Sequence, residues 1–263
     1  MTEPCLLRHD EGGVTTLTLN RGERFNPLSE EMLSALQIAL KAIAADDSVR
    51  VVVLAAAGKA FCAGHDLRQM RATPEQDYYQ ALFQQCSKVM LAIQSMPQPV
   101  IARVHGLATA AGCQLVAMCD LAVAGEQARF AVSGVNVGLF CATPAVALSR
   151  NVSRKQAMEM LLTGEFIDAQ TALQQGLVNR VVSNDMLDVT VAELCASILA
   201  KPALAIGMGK QLFYKQLEMG IGAAYQLAGQ TMACNMMDET AQEGVQAFIE
   251  KRPPSWHPGG KQT

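Results

Sequence analysis

The sequence predicts an α/β fold whose last third is helical, and three observations carry that expectation. Val51 to Ala55 and Val100 to Val104 are short unbroken apolar runs, the pattern of strands covered on both faces. Between them lies a long stretch with helical periodicity, so strand, helix and strand form a crossover unit with parallel pairing. Beyond about residue 145 the periodicity is helical almost throughout.

The elements follow in order. Val14 to Asn20 alternates apolar and polar residues, as a half-buried strand does. Ser29 is placed as an N-cap, with Glu30 and Glu31 at the positive end of a helix. Met32, Leu36, Leu40 and Ile43 give that helix one apolar stripe. A glycine-bearing loop, Gly58 to Leu67, follows the strand at Val51. Tyr79, Leu82, Phe83, Cys86, Val89, Met90 and Ile93 mark the long helix, which must stop before Pro97 and Pro99. Ala110 to Cys119 is small and apolar on nearly every side and reads as a buried helix, with a short strand at Leu121 to Ala124. Ser153 and Asp168 start helices that Gly164 and Gly176 can end. Further helices are expected near 186–200, 203–217, 223–237 and 239–250, the last closed by Pro253 and Pro254.

Composition narrows the function classes. Half of the 263 residues are hydrophobic and 17% are charged, which excludes a disordered chain. So few charges also point to apolar surface hidden by self-association. A net charge of -3 and an isoelectric point near 5.8 argue against a nucleic-acid or anionic-membrane footprint. No run approaches the ~20 apolar residues that cross a bilayer, and the first twenty residues carry Glu3, Arg8, Asp10 and Glu11 rather than a targeting pattern. The eight cysteines are scattered without metal spacing and read as reduced thiols. The expectation is a cytoplasmic protein without a metal.

Familiar motifs are missing: there is no G-x-G-x-x-G after a strand, no metal-binding His-Glu-x-x-His and no G-x-S-x-G, and Gly207-Met208-Gly209-Lys210 only superficially resembles a phosphate loop. Two segments stand out. Gly58-Lys59-Ala60-Phe61-Cys62-Ala63-Gly64-His65-Asp66-Leu67 is a small-residue turn after a buried strand. His105-Gly106-Leu107-Ala108-Thr109-Ala110-Ala111-Gly112-Cys113-Gln114-Leu115 passes from a strand end into a buried helix. The first amides of a helix have no internal partner, so one amide from each segment can converge on an anionic oxygen. The alternative is that the small residues only permit tight packing.

In this order, the two segments resemble the two signatures of the crotonase (enoyl-CoA hydratase/isomerase) superfamily, and the likeness extends over nearly the whole chain. Asn20-Arg21 to Asn26 resembles the family's first CoA-contacting loop, Ala128-Arg129-Phe130 the start of its third active-site segment, and Phe248 to Arg252 its C-terminal helix. The resemblance implies a crotonase-like spiral of βαβ turns over residues 1–200. Residues 201–263 would then form a helical region that builds a homotrimer or homohexamer. It implies an acyl-CoA substrate, with coenzyme A as part of the substrate and no separate cofactor. The amides that hold the thioester oxygen fall on His65 and Ala111. Ala63 and Leu67, with Arg24 and Phe25 nearby, match CoA-contacting positions, as do Phe248 and Lys251, the last two serving a neighbouring subunit.

The sequence departs from the family where hydratases carry two glutamates. Gln114 and Gly134 stand at those positions. An amide can hydrogen-bond a water but cannot take its proton, and glycine offers nothing. Each lost acid-base group is worth ~10² to 10⁴ in rate, so ordinary hydration is expected to be weak. Among substitutes, the His65 imidazole can face the substrate or serve as a solvent-facing or capping group. Asp66 reads as a turn carboxylate, and Ser133 and Asn136 as orienting or packing residues. Cys113 and Cys141 read as core thiols, and His105 as a strand-end cap. Three functions remain open: an enoyl-CoA hydratase-like enzyme stabilising an enolate, a thioester hydrolase or decarboxylase, and a non-catalytic acyl-CoA-binding or scaffold protein.

Overall fold

The structure is a computed structural model that describes residues 3–256, so part of the predicted helical region, 257–263, lies outside the described residues. The chain opens with a hairpin, β1 (Leu6–Glu11) and β2 (Val14–Leu19), joined through Gly12 and Gly13, both at positive φ. The first strand was not anticipated, because its residues are mostly exposed and polar and carry no period-2 signal. Helix α1 (Glu30–Ala44) begins where expected, with the Ser29 hydroxyl accepting from the Met32 amide, and it buries Met32, Leu36, Leu40 and Ile43. Then come β3 (Val51–Ala56), β4 (Ala60–Cys62), α2 (Leu67–Ala72) and α3 (Gln76–Ser95). Next are β5 (Val100–Val104), β6 (Leu107–Thr109), α4 (Ala111–Met118), β7 (Leu121–Gly125) and β8 (Arg129–Ala131).

The remaining elements are α5 (Ala142–Leu148), α6 (Arg154–Thr163), β9 (Ile167–Asp168), α7 (Ala169–Gln175), β10 (Arg180–Val182), α8 (Leu187–Leu199), α9 (Ala203–Leu217), α10 (Ile221–Met236) and α11 (Glu239–Ile249). A capping box at Ser153 starts α6, and Gly164 and Gly176 close α6 and α7 in the left-handed conformation. The three-residue strands β4, β6 and β8 were too short to show a period.

Two sheets result. One runs β1-β2-β3-β5-β7-β10, parallel except for the opening hairpin, and the other runs β4-β6-β8-β9, parallel except for its last pair. The six residues of β3 are all buried because both faces are covered. Val52 and Leu54 join the main core with α1, α3 and α4, whereas Val51 and Val53 pack with Ile101 and Val123 against Leu187, Val191 and Cys195 of α8. That is the physical reason the run shows no alternation.

The helical end is fastened to this core by one buried polar knot. Lys210 of α9 reaches Asp120 at 2.7 Å and donates to the carbonyls of Ile93 and Gln98. Tyr214 donates to the same carboxylate at 2.9 Å, whose other oxygen accepts from the Val100 amide. Outside it, α9 to α11 leave Phe213, Leu217, Ile221, Tyr225, Met232, Met237, Phe248 and Ile249 exposed.

Candidate active site

The site forms where the β4–α2 turn meets the start of α4. Asn26, fully buried and itself at φ 50°, accepts from the Arg21 amide and donates to the carbonyls of Ala57 and Ala60, tying the Arg21–Asn26 loop to β4. Two backbone bonds extend the link: the Ala63 amide donates to Phe25 and the Leu28 amide to Gly64. Segment 25–28 therefore holds the turn that carries His65.

Close approach of the two glycine-bearing segments fixes the geometry. A Cβ on Gly112 would sit 2.1 Å from the Cys62 carbonyl oxygen, and one on Gly64 (φ +90°) would sit 2.9 Å from the Ala110 Cβ and 3.2 Å from the Ala111 nitrogen. Small residues are thus required for packing, as the plainer reading held. They also bring the turn against the first amide of α4. Ala110 adopts φ 50°, ψ -122°, a conformation an L-residue avoids, and its amide is pinned to Ala131 at 3.0 Å. Strain of this kind persists only where the surroundings over-determine it. The amides of His65 and Ala111 donate to no acceptor among the described residues. Two free donors near one another, at a helix N-terminus, are what a developing oxyanion needs.

A cavity of about 260 Å³ opens beside them, walled by Ala63, His65, Leu67, Met70, Phe83, Ala110, Ala111, Ser133, Gly134, Val137, Leu139, Phe140, Cys141, Ala142, Thr143 and Pro144. Of the predicted residues, Ala63, His65, Leu67, Ala111 and Gly134 meet on this wall. Arg24 and Phe25 lie on the adjoining loop, Phe25 at φ 60° and half exposed. Gln114 is buried further along α4, off the wall, with its Oε1 unpartnered among the described residues. Phe248, 84% exposed, lines a different groove with Pro202 and Trp256, and Lys251 (φ 55°) follows it, so within one chain neither reaches the cavity.

The wall residues from Met70, Phe83 and the Val137–Pro144 stretch were not anticipated as site residues. Their one signal was an aperiodic apolar run, Val137 to Cys141, whose Val137, Leu139 and Phe140 side chains remain exposed. This stretch also closes over Gly134: its amide donates to the Cys141 thiol at 3.3 Å, and a Cβ there would lie 2.4 Å from the Leu139 oxygen.

Among the wall residues there is no Asp, Glu, Lys or Arg. Burial pushes the Cys141 thiol up, against the pull of the Gly134 amide, and pushes Cys113 up to about 12. Both stay protonated at neutral pH. Burial holds the His65 imidazole below its ordinary range, so it is neutral there. Asp66 is the N-cap of α2, accepting from the Arg68 and Gln69 amides, and His105 binds the Gly58 carbonyl at 2.8 Å. Ser133 pairs with Thr109, and Asn136 donates to Gly164.

With this geometry in hand, the comparison with known proteins is decisive. The sequence profile of the enoyl-CoA hydratase/isomerase family matches residues 9–259. The chain belongs to this family. A crystal structure of enoyl-CoA hydratase from Mycobacterium smegmatis is 65% identical and superposes with a TM-score of 0.96, covering 97% of this chain and 99% of that one. Human enoyl Coenzyme A hydratase domain-containing protein 3 is 44% identical with a TM-score of 0.92, covering 95% and 99%. The 2,3-dehydroadipyl-CoA hydratase of Escherichia coli is 33% identical over 244 residues, 92% of this chain and 94% of that protein. The predicted crotonase-type α/β fold is therefore the fold of this family member.

Proposed function

We propose that the protein binds an acyl-CoA thioester in this cavity and stabilises the oxyanion or enolate that forms when the thioester reacts. The observation that carries the reading is the pair of unpartnered amides, His65 and Ala111, on the wall of an uncharged cavity. In such a site a donor aimed at a developing charge acts without reorganisation, and losing one typically costs ~3 kcal/mol in the transition state. Hydration of an enoyl thioester is the step this site is least equipped for, since Gln114 is off the wall and Gly134 has no side chain. Crotonyl-CoA turnover well below the enzyme median of ~10 s⁻¹ is expected.

On this reading Ala63 and Leu67 on the wall, with Arg24 and Phe25 on the adjoining loop, meet the nucleotide part of CoA at the mouth of the cavity. Phe248 and Lys251 fit the reading only if a second subunit brings them to that mouth, which agrees with the exposed apolar side chains of α9 to α11 and supports a trimer or hexamer. The experiment is calorimetry with acetyl- and crotonyl-CoA, on the protein and on Ala111→Pro. Proline is tolerated at the first helical position and deletes one donor. Binding of CoA by both, with thioester use impaired in the variant, is the expected result. Failure of the folded wild-type protein to bind any acyl-CoA overturns the reading.

A further inference from the structure

Along one face of α3, Gln76, Tyr79, Gln80, Phe83, Gln84 and Ser87 line a second groove of about 560 Å³. Phe83 is the one residue shared by this groove and the cavity beside the His65 and Ala111 amides, and its half-buried ring stands between the two. The ring is braced. His65 packs edge-on to it at 5.5 Å between centroids, and Tyr79 lies close to parallel with it at 6.5 Å. Each of these neighbours is itself tied down. The Tyr79 hydroxyl donates to the Met70 carbonyl at 3.1 Å, and His65 Nδ1 lies 3.3 Å from the Leu28 carbonyl oxygen. Met70 also belongs to the cavity wall, so α2, α3 and the turn carrying His65 all hold the same ring. Phe83 cannot swing aside without losing two aromatic contacts.

The cavity on the near side of the ring is small. At about 30 Å³ for a group the size of a water molecule, its volume of about 260 Å³ holds roughly eight or nine such groups. The carbon, oxygen and sulfur of a thioester take three of them. We propose that Phe83 is the stop that limits the acyl chain of the bound thioester to about six carbons, and that the wall admits only chains without a terminal charge. The inference rests on the acyl-CoA reading above and names the acyl groups which that site takes. Up to the stop, each methylene passes from water into an apolar cavity and tightens binding about fourfold. Beyond it the chain must bend back toward water or displace the braced ring, so the gain ends. A chain ending in a carboxylate would carry its charge against a wall with no Lys or Arg to pair it, and an unpaired charge is costly to bury.

The test is calorimetry with saturated acyl-CoAs of two to twelve carbons, and with adipyl-CoA beside hexanoyl-CoA, on the wild-type protein and on Phe83→Ala. For the wild type, Kd is expected to fall about fourfold per methylene to about six carbons and then to level or rise, with adipyl-CoA about tenfold or more weaker than hexanoyl-CoA. Phe83→Ala joins the cavity to the α3 groove, so its tightening is expected to continue through two or more further carbons. Should Phe83→Ala fail to fold, Phe83→Leu removes the ring, keeps an apolar side chain and carries the same expectation. A steady gain to twelve carbons in the wild type, or a limit that Phe83→Ala and Phe83→Leu leave unmoved, overturns the proposal. So does a limit moved instead by Phe140→Ala, the other phenylalanine on the wall, or adipyl-CoA binding as tightly as hexanoyl-CoA. Those results leave the acyl-CoA reading standing, whereas a folded wild-type protein that binds none of these thioesters overturns that reading itself.

Discussion

Placing glutamates at positions 114 and 134 is expected to fail, and the reason is readable at Gly134. A Cβ built there would lie 2.4 Å from the Leu139 carbonyl oxygen and 2.7 Å from the Cys141 sulfur, where ordinary contact begins at 3.4 Å. Backbone must therefore retreat by about 1 Å, and Leu139 is tied back to Gly134 by its own amide at 3.0 Å. Overpacking of this order costs about 1–3 kcal/mol. At roughly 2–4 °C per kcal/mol for a chain of this size, Gly134→Ala is expected to lower Tm by about 2–12 °C. Differential scanning fluorimetry measures it. Gln114→Glu with Gly134→Glu, assayed by loss of crotonyl-CoA absorbance, is expected to remain a poor hydratase because the Leu139–Cys141 wall shifts into the cavity. An unchanged Tm for Gly134→Ala, together with strong hydration by the double variant, would refute the reasoning.

Three further outcomes follow from the structure. Asp120→Ala strands the buried Lys210 ammonium and is expected to cost about 3–5 kcal/mol in urea unfolding, whereas a change below 1 kcal/mol would show that the knot does not hold α9. Ala110→Gly relieves about 1–3 kcal/mol of strain against glycine's chain-entropy cost of about 0.4–1 kcal/mol, so Tm should stay level or rise while thioester use falls. Acid unfolding should begin in two windows. His65 and His105 are held below their ordinary range by burial, so the unfolded chain binds protons first and stability falls as pH drops through about 6.5. Glu243, held down to about 2 by Arg252, adds a second loss below about pH 4.5; urea midpoints from pH 8 to 3 read both, and His65→Gln should shrink the first.

The long amphipathic helices and the twice-buried strands were legible because burial patterns repeat over enough residues to show a period. The Ser29 cap and the Gly164 and Gly176 stops were legible because their local chemistry leaves few alternatives. The opening strand Leu6–Glu11 was hidden by its exposed face, and Ala60–Cys62, Leu107–Thr109 and Arg129–Ala131 by their length. At the site, the two segments were singled out by their small residues, and the positions His65 and Ala111 within them came from the family resemblance. The strained φ of Ala110 and the closure of Leu139 and Cys141 over Gly134 were not legible, since both depend on contacts between segments far apart in sequence.

The central claim is that one thioester oxygen sits between the amides of His65 and Ala111. A crystal structure of the protein with a non-hydrolysable acyl-CoA analogue tests it most directly. The account predicts the analogue's carbonyl oxygen at about 2.7–3.1 Å from both amide nitrogens. An acyl group seated in the cavity with its carbonyl turned away from either nitrogen would contradict it.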